Sequence, residues 1–320
     1  MKKIITVLLI MMLTGCQLPG LSSAKSGGNI VVASGNTTER QINGEILGQM
    51  IAHYMPDVGV EILANMGSSL LILQTLESKD SHMSSVMYTG TSLTGELGLP
   101  ATTDVDEAYE KVVTGFYDAF DLVWFPSYGF ANTYAFMVTR EFAETHNLSK
   151  ISDLKSISSN LRAGIDTGWI DRDGDGYEAF KEIYDFEFGT LLPMEIGLVY
   201  SAVQSGDMDI VLGYSTDGRI DSYDLVLLED DLRLFPPYDA SPVVSVDVLN
   251  EYPELEGVLL KLEGAISDSQ MQRLNKRSDE DKVEPTIVAQ EFLEAHNYFE
   301  DRMVQPLKER ELYKDMEGLK

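Results

Sequence analysis

The sequence has few of the residues on which most catalytic and metal sites depend. Its 320 residues include one cysteine, Cys16, and four histidines that are scattered along the chain. A lone thiol has no partner for a disulfide within the chain. No G-x-S-x-G elbow, phosphate-binding loop or H-E-x-x-H pair occurs. We therefore expect a protein that is not an enzyme and that needs no cofactor.

Basic residues are also scarce. The chain has 24 lysines and arginines against 52 aspartates and glutamates, a formal net charge of −28. A surface this acidic repels phosphate backbones, which argues against nucleic acid as a partner. A solvated acidic coat that aids solubility in salt is the ordinary interpretation, and a surface suited to a basic ligand is the alternative.

Long apolar runs are missing except at the N-terminus, where Ile4–Leu13 follows two lysines. About ten residues are too few for a mature transmembrane helix, so residues 1–15 are interpreted as a signal peptide. The run ends in the letters LTGC, which resemble a bacterial lipobox. We expect lipid attachment at Cys16, with a free thiol as the alternative, and a flexible tether over residues 16–28. The body would then sit at the extracellular face of the cell membrane.

Beyond the tether, strand-like apolar runs alternate with helical patterns, which indicates an α/β architecture with largely parallel sheets. The segment Thr38–Gln41 fits a capping box before the first helix. Met83–Tyr88 predicts a strand that ends in a loop over residues 89–95. An aromatic stretch at residues 126–130 and the double proline at Pro236–Pro237 predict two crossings between lobes.

The two crossings would divide the chain into two lobes. We expect the first lobe to be discontinuous, over residues 29–127 and 236–320, and the second to cover residues 128–235. Ligands of α/β sheets lie beyond the carboxyl ends of strands, so we expect a cleft between the lobes.

Tyrosines stand at or near strand ends and at the second crossing, and four of them could converge on this cleft: Tyr88, Tyr134, Tyr214 and Tyr238. A quaternary ammonium has no N–H to donate, but aromatic ring faces attract it by about 0.5–2 kcal/mol per good contact. We interpret Tyr134 as one wall of an aromatic box for a small cation. Core or cleft packing is the alternative for any single tyrosine.

Longer motifs around these tyrosines resemble a known family. The segments MYTGTSLTG, WFPSYGFANTYAF, YSTDGRIDSYDL and FPPYDASPVV are similar to the osmoprotectant-binding lipoproteins of Gram-positive ABC importers, which bind glycine betaine, carnitine or choline. The resemblance covers about residues 29–300. It implies a class II periplasmic-binding-protein-like fold whose lobes close on a quaternary-ammonium solute and deliver it to a membrane permease. It also matches the four tyrosines to the family's cage.

The resemblance further implies polar contacts for the carboxylate of the solute. Thr91 and Asn36 match polar positions of the family, and Arg172 stands where some relatives hold the carboxylate with an arginine. Asn132 lies two residues before Tyr134 and would face the same side of a regular strand. A turn or cap role is the alternative for the threonine and the two asparagines. A carboxylate at position 91 would repel betaine, so the neutral threonine indicates binding of betaine, carnitine and related solutes rather than choline alone.

A competing motif fits the calcium-loop pattern D-x-D-x-D-G-x5-E, with its acidic positions at Asp171, Asp173, Asp175 and Glu182. Position eight is Glu178 instead of an apolar residue, and no clear helix leads into the loop. Three interpretations stay open for this segment: a calcium site, a ligand contact by Arg172, or a solvated acidic turn.

Two alternative functions use the same fold. One is a binding lipoprotein for another cationic metabolite, and the other is a surface sensor or adhesion domain. A titration with quaternary-ammonium solutes separates the first from an osmoprotectant-binding protein.

Overall fold

Two five-stranded β-sheets organise residues 28–172 and 174–316, the part of the chain that the computed structural model describes. Helices pack against both sheets, which confirms the two α/β lobes that the alternating pattern predicts. The predicted signal peptide, Cys16 and nearly all of the predicted tether lie outside the described residues. Every helix within the described ranges is too short or too polar to span a bilayer.

The first lobe is built from these elements in chain order: β1 (Asn29–Gly35), α1 (Thr38–Tyr54), β2 (Gly59–Met66), α2 (Ser69–Glu77), β3 (Met83–Tyr88), α3 (Thr89–Thr94), α4 (Val105–Phe120) and β4 (Leu122–Trp124), then β10 (Ala240–Ser245), α10 (Val246–Glu251), α11 (Glu254–Leu260), α12 (Asp268–Asp279), α13 (Pro285–Ala295) and 3-10 turns at Asn297–Phe299 and Leu307–Glu309. The strand order of its sheet is β2-β1-β3-β10-β4. β10 runs antiparallel to both of its neighbours, and β1 pairs in parallel with β2 and β3.

The second lobe contains these elements: β5 (Tyr134–Thr139), α5 (Arg140–His146), 3-10 turns at Ile151–Ser156 and Ser158–Asn160, β6 (Arg162–Asp166), α6 (Thr167–Ile170), α7 (Tyr177–Tyr184), β7 (Thr190–Met194), α8 (Ile196–Gln204), β8 (Ile210–Tyr214), α9 (Gly218–Ser222) and β9 (Leu225–Leu227). Its strand order is β7-β6-β8-β5-β9, and β5 is antiparallel to both of its neighbours.

The two sheets share one topology. In each sheet the antiparallel strand is the first strand after a crossing, β5 after the first crossing and β10 after the second. The start of β10 therefore lies beside the carboxyl end of β3, and the start of β5 lies beside the carboxyl end of β8. Each lobe presents a strand end and a strand start side by side at the cleft, where ligands of α/β sheets bind.

Two crossings join the lobes, residues 125–133 between β4 and β5 and residues 228–239 between β9 and β10. The crossings also pair with each other, because Ala131 and Asp239 form an antiparallel bridge. The N–H of Asn132 donates to the carbonyl oxygen of the residue before Asp239 at 3.2 Å. The chain thus passes between the lobes as a short two-stranded connection.

The side chains around the crossings divide between the two cores. Tyr128 and Phe130 are buried in the core of the first lobe, and Leu234 and Phe235 are buried in the core of the second. The second-lobe range predicted from the sequence, residues 128–235, has both of its limits inside or beside the crossings. These limits stay predictions.

Several elements differ from the sequence prediction. The segment 89–95, predicted as a loop, is largely helical, since Thr89–Thr94 forms α3. β7, β10 and α12 were not predicted. β7 contains Pro193, which an edge strand tolerates because one side of its backbone needs no ladder bonds. α12 is strongly polar and buries only Met271 and Asn275, so apolar periodicity does not reveal it.

The predicted capping box at Thr38–Gln41 is also wrong in register. The N-cap is Thr37, whose Oγ1 accepts a hydrogen bond from the N–H of Arg40 at 3.4 Å. Gln41, which the predicted box requires to bond back to the cap, instead donates to Asn65 Oδ1 at 3.0 Å. Glu39 lies in the first turn of α1. Its side chain is buried and points into the protein, toward the cleft.

Candidate ligand-binding site

One small cavity is lined by residues of both lobes and has a volume of about 230 Å³. This is below the roughly 300–1,000 Å³ of sites for drug-sized ligands, so the cavity suits a small molecule. Its lining consists of Thr37, Arg40, Tyr88, Thr91, Asn132, Tyr134, Arg172, Tyr214 and Tyr238. Of the eight ligand-contact residues predicted from the sequence, seven are in this lining and Asn36 is not.

Asn36 lies in the loop between β1 and α1 and is exposed. The next residue, Thr37, caps α1 and lines the cavity instead. The loop residue that lines the cavity is thus one residue later than predicted.

Strand ends bring the four tyrosines of this cavity, here called the cage tyrosines, together. Tyr88 is the last residue of β3 and lies opposite Ala240, two residues after Tyr238. Tyr214 is the last residue of β8 and lies opposite Tyr134, the first residue of β5. The shared topology of the two sheets therefore places one pair of cage tyrosines in each lobe.

The second-lobe pair forms a ring platform. The centroids of Tyr134 and Tyr214 are 5.1 Å apart with an interplanar angle of 40°. Trp169 and Phe235 support Tyr134 from the core, with centroid distances of 6.5 and 6.4 Å. All of these distances are typical of aromatic contacts. Tyr214 is 38% exposed, whereas the other three cage tyrosines are buried, so its ring remains accessible from the cleft.

Two of the cage hydroxyls donate to buried carboxylates. Tyr88 Oη lies 2.5 Å from Glu39 Oε1, and Tyr134 Oη lies 2.8 Å from Asp166 Oδ2. Burial raises the pKa of Tyr88 well above its ordinary value, and the charge of Glu39 raises it further. Burial also raises the pKa of Tyr134, to which the hydroxyl of Tyr214 and then the Asp166 carboxyl add. Both rings therefore stay neutral phenols that donate to an anion.

Arg172 lies at the mouth of the cavity. Its Nη2 donates to Tyr238 Oη at 2.8 Å, and its Nε donates to Asp175 Oδ1 at 2.9 Å. The guanidinium carbon lies 5.7 Å from the ring centroid of Tyr134, a cation–π contact. Burial opposes the charge of Arg172, but the hydrogen bond and charge of Asp175 outweigh burial and raise the pKa of the guanidinium. The predicted placement of this arginine in the cleft agrees with this geometry.

The predicted calcium loop is only partly described. Asp173 lies outside the described residues, Asp175 is paired with Arg172, and Asp171 and Glu182 are exposed. Across residues 28–172 and 174–316, no group of three histidine, cysteine, aspartate or glutamate side chains is arranged to hold a metal ion. The calcium site stays a prediction of the sequence motif.

The start of α3 fixes the position of Tyr238. Thr89 Oγ1 donates to the carbonyl oxygen of Pro237 at 2.9 Å and accepts from the N–H of Asp239 at 3.1 Å. Gly90 allows a close approach, because a Cβ there would lie 2.6 Å from the carbonyl oxygen of Pro237 and 3.1 Å from the ring of Tyr238. The loop prediction for this segment missed the contact. Thr91, in the next position of α3, faces the cavity.

Glu39 joins several parts of the site and was not predicted as a site residue. Its Oε1 accepts from Asn132 Nδ2 at 2.9 Å as well as from Tyr88, and its Oε2 accepts from Asn275 Nδ2 at 3.2 Å. Asn275 also donates to the carbonyl oxygen of Thr216, two residues after Tyr214, at 2.8 Å. The amide nitrogen of Asn132 thus serves Glu39, although its side chain lines the cavity as predicted.

A sequence signal for α12, which carries Asn275, was available. Ser267 and Gln270 form a capping box, with the hydroxyl accepting from the N–H of Gln270 and the glutamine side chain accepting from the N–H of Ser267. Glu39 lies three residues before Ile42 and seven before Ile46, so the apolar periodicity of α1 places it on the buried face. Its role in the site has no such signal, because an acidic residue in the first turn of a helix is ordinarily a solvated complement to the helix dipole.

Comparison with known proteins decides the class of this molecule. Residues 28–295 match the family described as the substrate-binding domain of the ABC-type glycine betaine transport system. The chain belongs to this family. The match covers both lobes and the whole cavity lining, which confirms the resemblance identified from the tyrosine motifs.

Members of the glycine betaine transport family and related solved structures resemble the chain over most of its length. The carnitine transport binding protein OpuCC of Listeria monocytogenes is 45% identical over 309 residues, 94% of this chain and 99% of that protein. The ergothioneine transport permease/ergothioneine binding protein EgtU of Helicobacter pylori is 31% identical over 266 residues, 83% of this chain and 47% of that protein. A crystal structure of a glycine betaine/carnitine/choline ABC transporter protein has 46% identity and a TM-score of 0.83, covering 85% of this chain and all of that one.

The molecule is therefore a substrate-binding protein of an ABC-type transport system of the glycine betaine class. Such proteins work outside the cytoplasm and hand a small solute to a permease. Its relatives are transport proteins and not enzymes.

Proposed function

We propose that the protein captures quaternary-ammonium compatible solutes, including glycine betaine, carnitine and choline, and delivers them to an ABC permease for osmoprotection. The observation that carries this proposal is the placement of four tyrosines from two lobes around one small cavity. Ring faces attract a trimethylammonium group that no hydrogen-bond donor or acceptor can recognise. The similarity to the Listeria carnitine-binding protein supports the same solute class.

Capture would proceed by closure of the lobes. Tyr134 and Tyr214 already form a ring platform in the second lobe, and Tyr88 and Tyr238 come from the first lobe and its crossing. A cation held between both pairs stabilises the closed arrangement, which the permease then distinguishes from the open one.

The opposite end of the cavity would hold the carboxylate or hydroxyl of the solute. Thr91 lines the cavity, and no described residue shares a hydrogen bond with its hydroxyl. Thr37 adds a hydroxyl where the sequence points to Asn36. Arg172 adds a positive charge beside the rings of Tyr134 and Tyr238. Asn132 acts in this proposal mainly through Glu39. The neutral Thr91 favours zwitterions such as betaine and carnitine over choline alone.

The location of the protein follows from the N-terminal sequence. A lipobox-like LTGC at the end of the apolar run supports lipid attachment at Cys16, and this anchor would hold the binding domain at the extracellular face of the membrane beside the permease. The protein would have no catalytic activity of its own and would need no cofactor.

A binding protein for another cationic metabolite is the second candidate, and the similarity to the ergothioneine-binding protein of Helicobacter pylori is the observation that favours it. A sensor or adhesion role for the same fold is a further alternative. A genomic neighbourhood without an ATPase and a permease would support that role.

Titration tests these candidates directly. Trp169 packs 6.5 Å from the ring of Tyr134, so its fluorescence should report on occupation of the cage. We expect saturable changes with glycine betaine, carnitine and choline, and weaker or no changes with ergothioneine. Saturation by ergothioneine alone would favour the second candidate, and no response to any of these solutes, confirmed by calorimetry, would contradict the proposed function.

A further inference from the structure

Two carboxylates stand behind the cage without a basic partner. Glu39 is 4% exposed and Asp166 is 6% exposed. Among the residues that the structure describes, neither forms an ion pair with a lysine, arginine or histidine. A buried charge is costly unless a counter-ion or several hydrogen bonds compensate it. Both carboxylates contact the cavity lining through the hydroxyl of a tyrosine that lines it.

Each carboxylate accepts a hydrogen bond from a different cage tyrosine. Glu39 holds the hydroxyl of Tyr88, at the end of β3 in the first lobe, and Asp166 holds the hydroxyl of Tyr134, at the start of β5 in the second. A phenol that donates to an anion becomes polarised, because hydrogen-bonded groups in a low-dielectric interior polarise one another. The polarisation places more negative charge on the ring, whose face attracts cations.

Cations within the protein already rest on the same two rings. The guanidinium carbon of Arg40 lies 5.2 Å from the centroid of Tyr88, and that of Arg172 lies 5.7 Å from the centroid of Tyr134. In the described part of the chain, no such contact involves the rings of Tyr214 or Tyr238. Within the cage, the two rings bonded to carboxylates are therefore the ones on which positive groups lie.

We propose that Glu39 and Asp166 are specificity-determining residues, which make the cage select a trimethylammonium group over an uncharged tert-butyl group of the same shape. This inference rests on the proposed function, because it concerns a quaternary-ammonium solute in that cavity. Neither carboxylate lines the cavity, so both act through the tyrosines and through their charge.

The two residues differ in how much else they support. Glu39 also holds Asn132 and Asn275, so its removal disturbs the geometry of the cavity wall. The one side-chain hydrogen bond described for Asp166 goes to Tyr134. The Asp166→Asn variant removes the charge and keeps an oxygen that can accept from the tyrosine hydroxyl. Asp166→Asn is therefore the first variant to test, because it disturbs fewer other contacts, and Glu39→Gln is the second variant.

The test compares glycine betaine with 3,3-dimethylbutanoate, which carries a carbon where betaine carries its charged nitrogen. For each variant we would measure both affinities by calorimetry, with the weaker ligand measured by competition. We expect the ratio of betaine to dimethylbutanoate affinity to fall by roughly fivefold to thirtyfold in either variant, with no loss of dimethylbutanoate affinity. Asp185→Asn, at an exposed position of the second lobe, is the matched control for net charge and should leave the ratio unchanged.

A merely structural role predicts a different pattern. If both ligands weaken equally in Asp166→Asn while its melting temperature is maintained, the carboxylate only supports the wall, and the inference is overturned. An unchanged ratio in both variants overturns it as well. A wild-type protein that binds no betaine would instead contradict the proposed function, so the two failures are distinguishable. If Glu39→Gln does not fold, Asp166→Asn decides alone.

Discussion

The two lobes place their cage tyrosines in equivalent positions. Tyr88 and Tyr214 each end a strand, β3 and β8. Tyr238 and Tyr134 lie just before or at the start of the antiparallel strand beside it, β10 and β5. Their surroundings differ. The second-lobe rings contact each other, and Tyr214 is exposed. Tyr88 and Tyr238 are both buried, and α3 holds the second crossing, which carries Tyr238, through a hydrogen bond of Thr89. The sheet topology therefore determines where the rings lie, and the neighbouring side chains determine how deeply each ring is buried and which charged groups it contacts.

Removing the second-lobe platform should have the largest effect. In a Tyr134→Ala, Tyr214→Ala variant we expect the affinity for glycine betaine to fall roughly a hundredfold, because two ring contacts of about 0.5–2 kcal/mol each and their exclusion of water are lost. Calorimetry measures the loss. The matched Tyr134→Phe, Tyr214→Phe variant keeps both rings and should stay within roughly tenfold of wild type. Wild-type affinity in the alanine variant would mean that the platform is not the cation site.

A charge placed in the first-lobe wall should have the next largest effect. Thr91→Asp sets a carboxylate at the end of the cavity that we assign to the carboxylate of the solute. Repulsion of like charges should weaken betaine and carnitine by roughly tenfold or more, while choline, which has a hydroxyl there, keeps or gains affinity. Competition binding with the three solutes measures the change, and Thr91→Ser is the neutral control. Full betaine affinity in Thr91→Asp would refute the assigned orientation.

The contact between α3 and the second crossing, which fixes the position of Tyr238, can be disturbed by substituting Gly90. In Gly90→Ala the new Cβ would lie 2.6 Å from the carbonyl oxygen of Pro237, so Tyr238 must shift. Overpacking of this kind costs roughly 1–3 kcal/mol, so we expect a lower melting temperature together with weaker betaine binding. Gly197→Ala, on a helix where nothing lies within 4 Å of the added Cβ, should be neutral or stabilising. Equal melting temperatures for the two variants would contradict the close approach at Gly90.

Calcium should have the smallest effect. Because Asp175 is paired with Arg172 at 2.9 Å, we expect no shift in melting temperature and no heat of binding when calcium replaces EDTA. Differential scanning calorimetry and titration calorimetry check this. A calcium-dependent rise in melting temperature that disappears in Asp171→Asn would instead establish the calcium loop. The stability of the second lobe would then depend on the metal.

Much of the site could be predicted from the sequence because its rings lie in long, contiguous motifs at strand ends. The segment containing Tyr134, for example, carries the crossing, the strand start and the ring within about ten residues. The alternating pattern likewise predicted both lobes. Local sequence thus sufficed wherever one segment both forms the element and carries the functional side chain.

The missed features depend on contacts between distant segments. Glu39 lies on the buried face of α1, three residues before Ile42 and seven before Ile46, but its role is visible only through its contact with the distant Tyr88. Asn275 lies on a polar helix whose position is fixed by packing and not by apolar periodicity. Thr37 lines the cavity where Asn36 was predicted, and Asn36 is exposed. Side-chain direction at a helix start is set by tertiary packing, which a single sequence does not reveal.

The central claim is that the cage tyrosines hold a quaternary ammonium. A crystal structure of the protein with glycine betaine tests it most directly. We predict a single betaine in the cavity, with its nitrogen within about 6 Å of the ring centroids of Tyr134, Tyr214 and at least one first-lobe tyrosine. Its carboxylate should point toward Thr91. A betaine bound elsewhere, or one whose carboxylate faces the rings, would contradict the account.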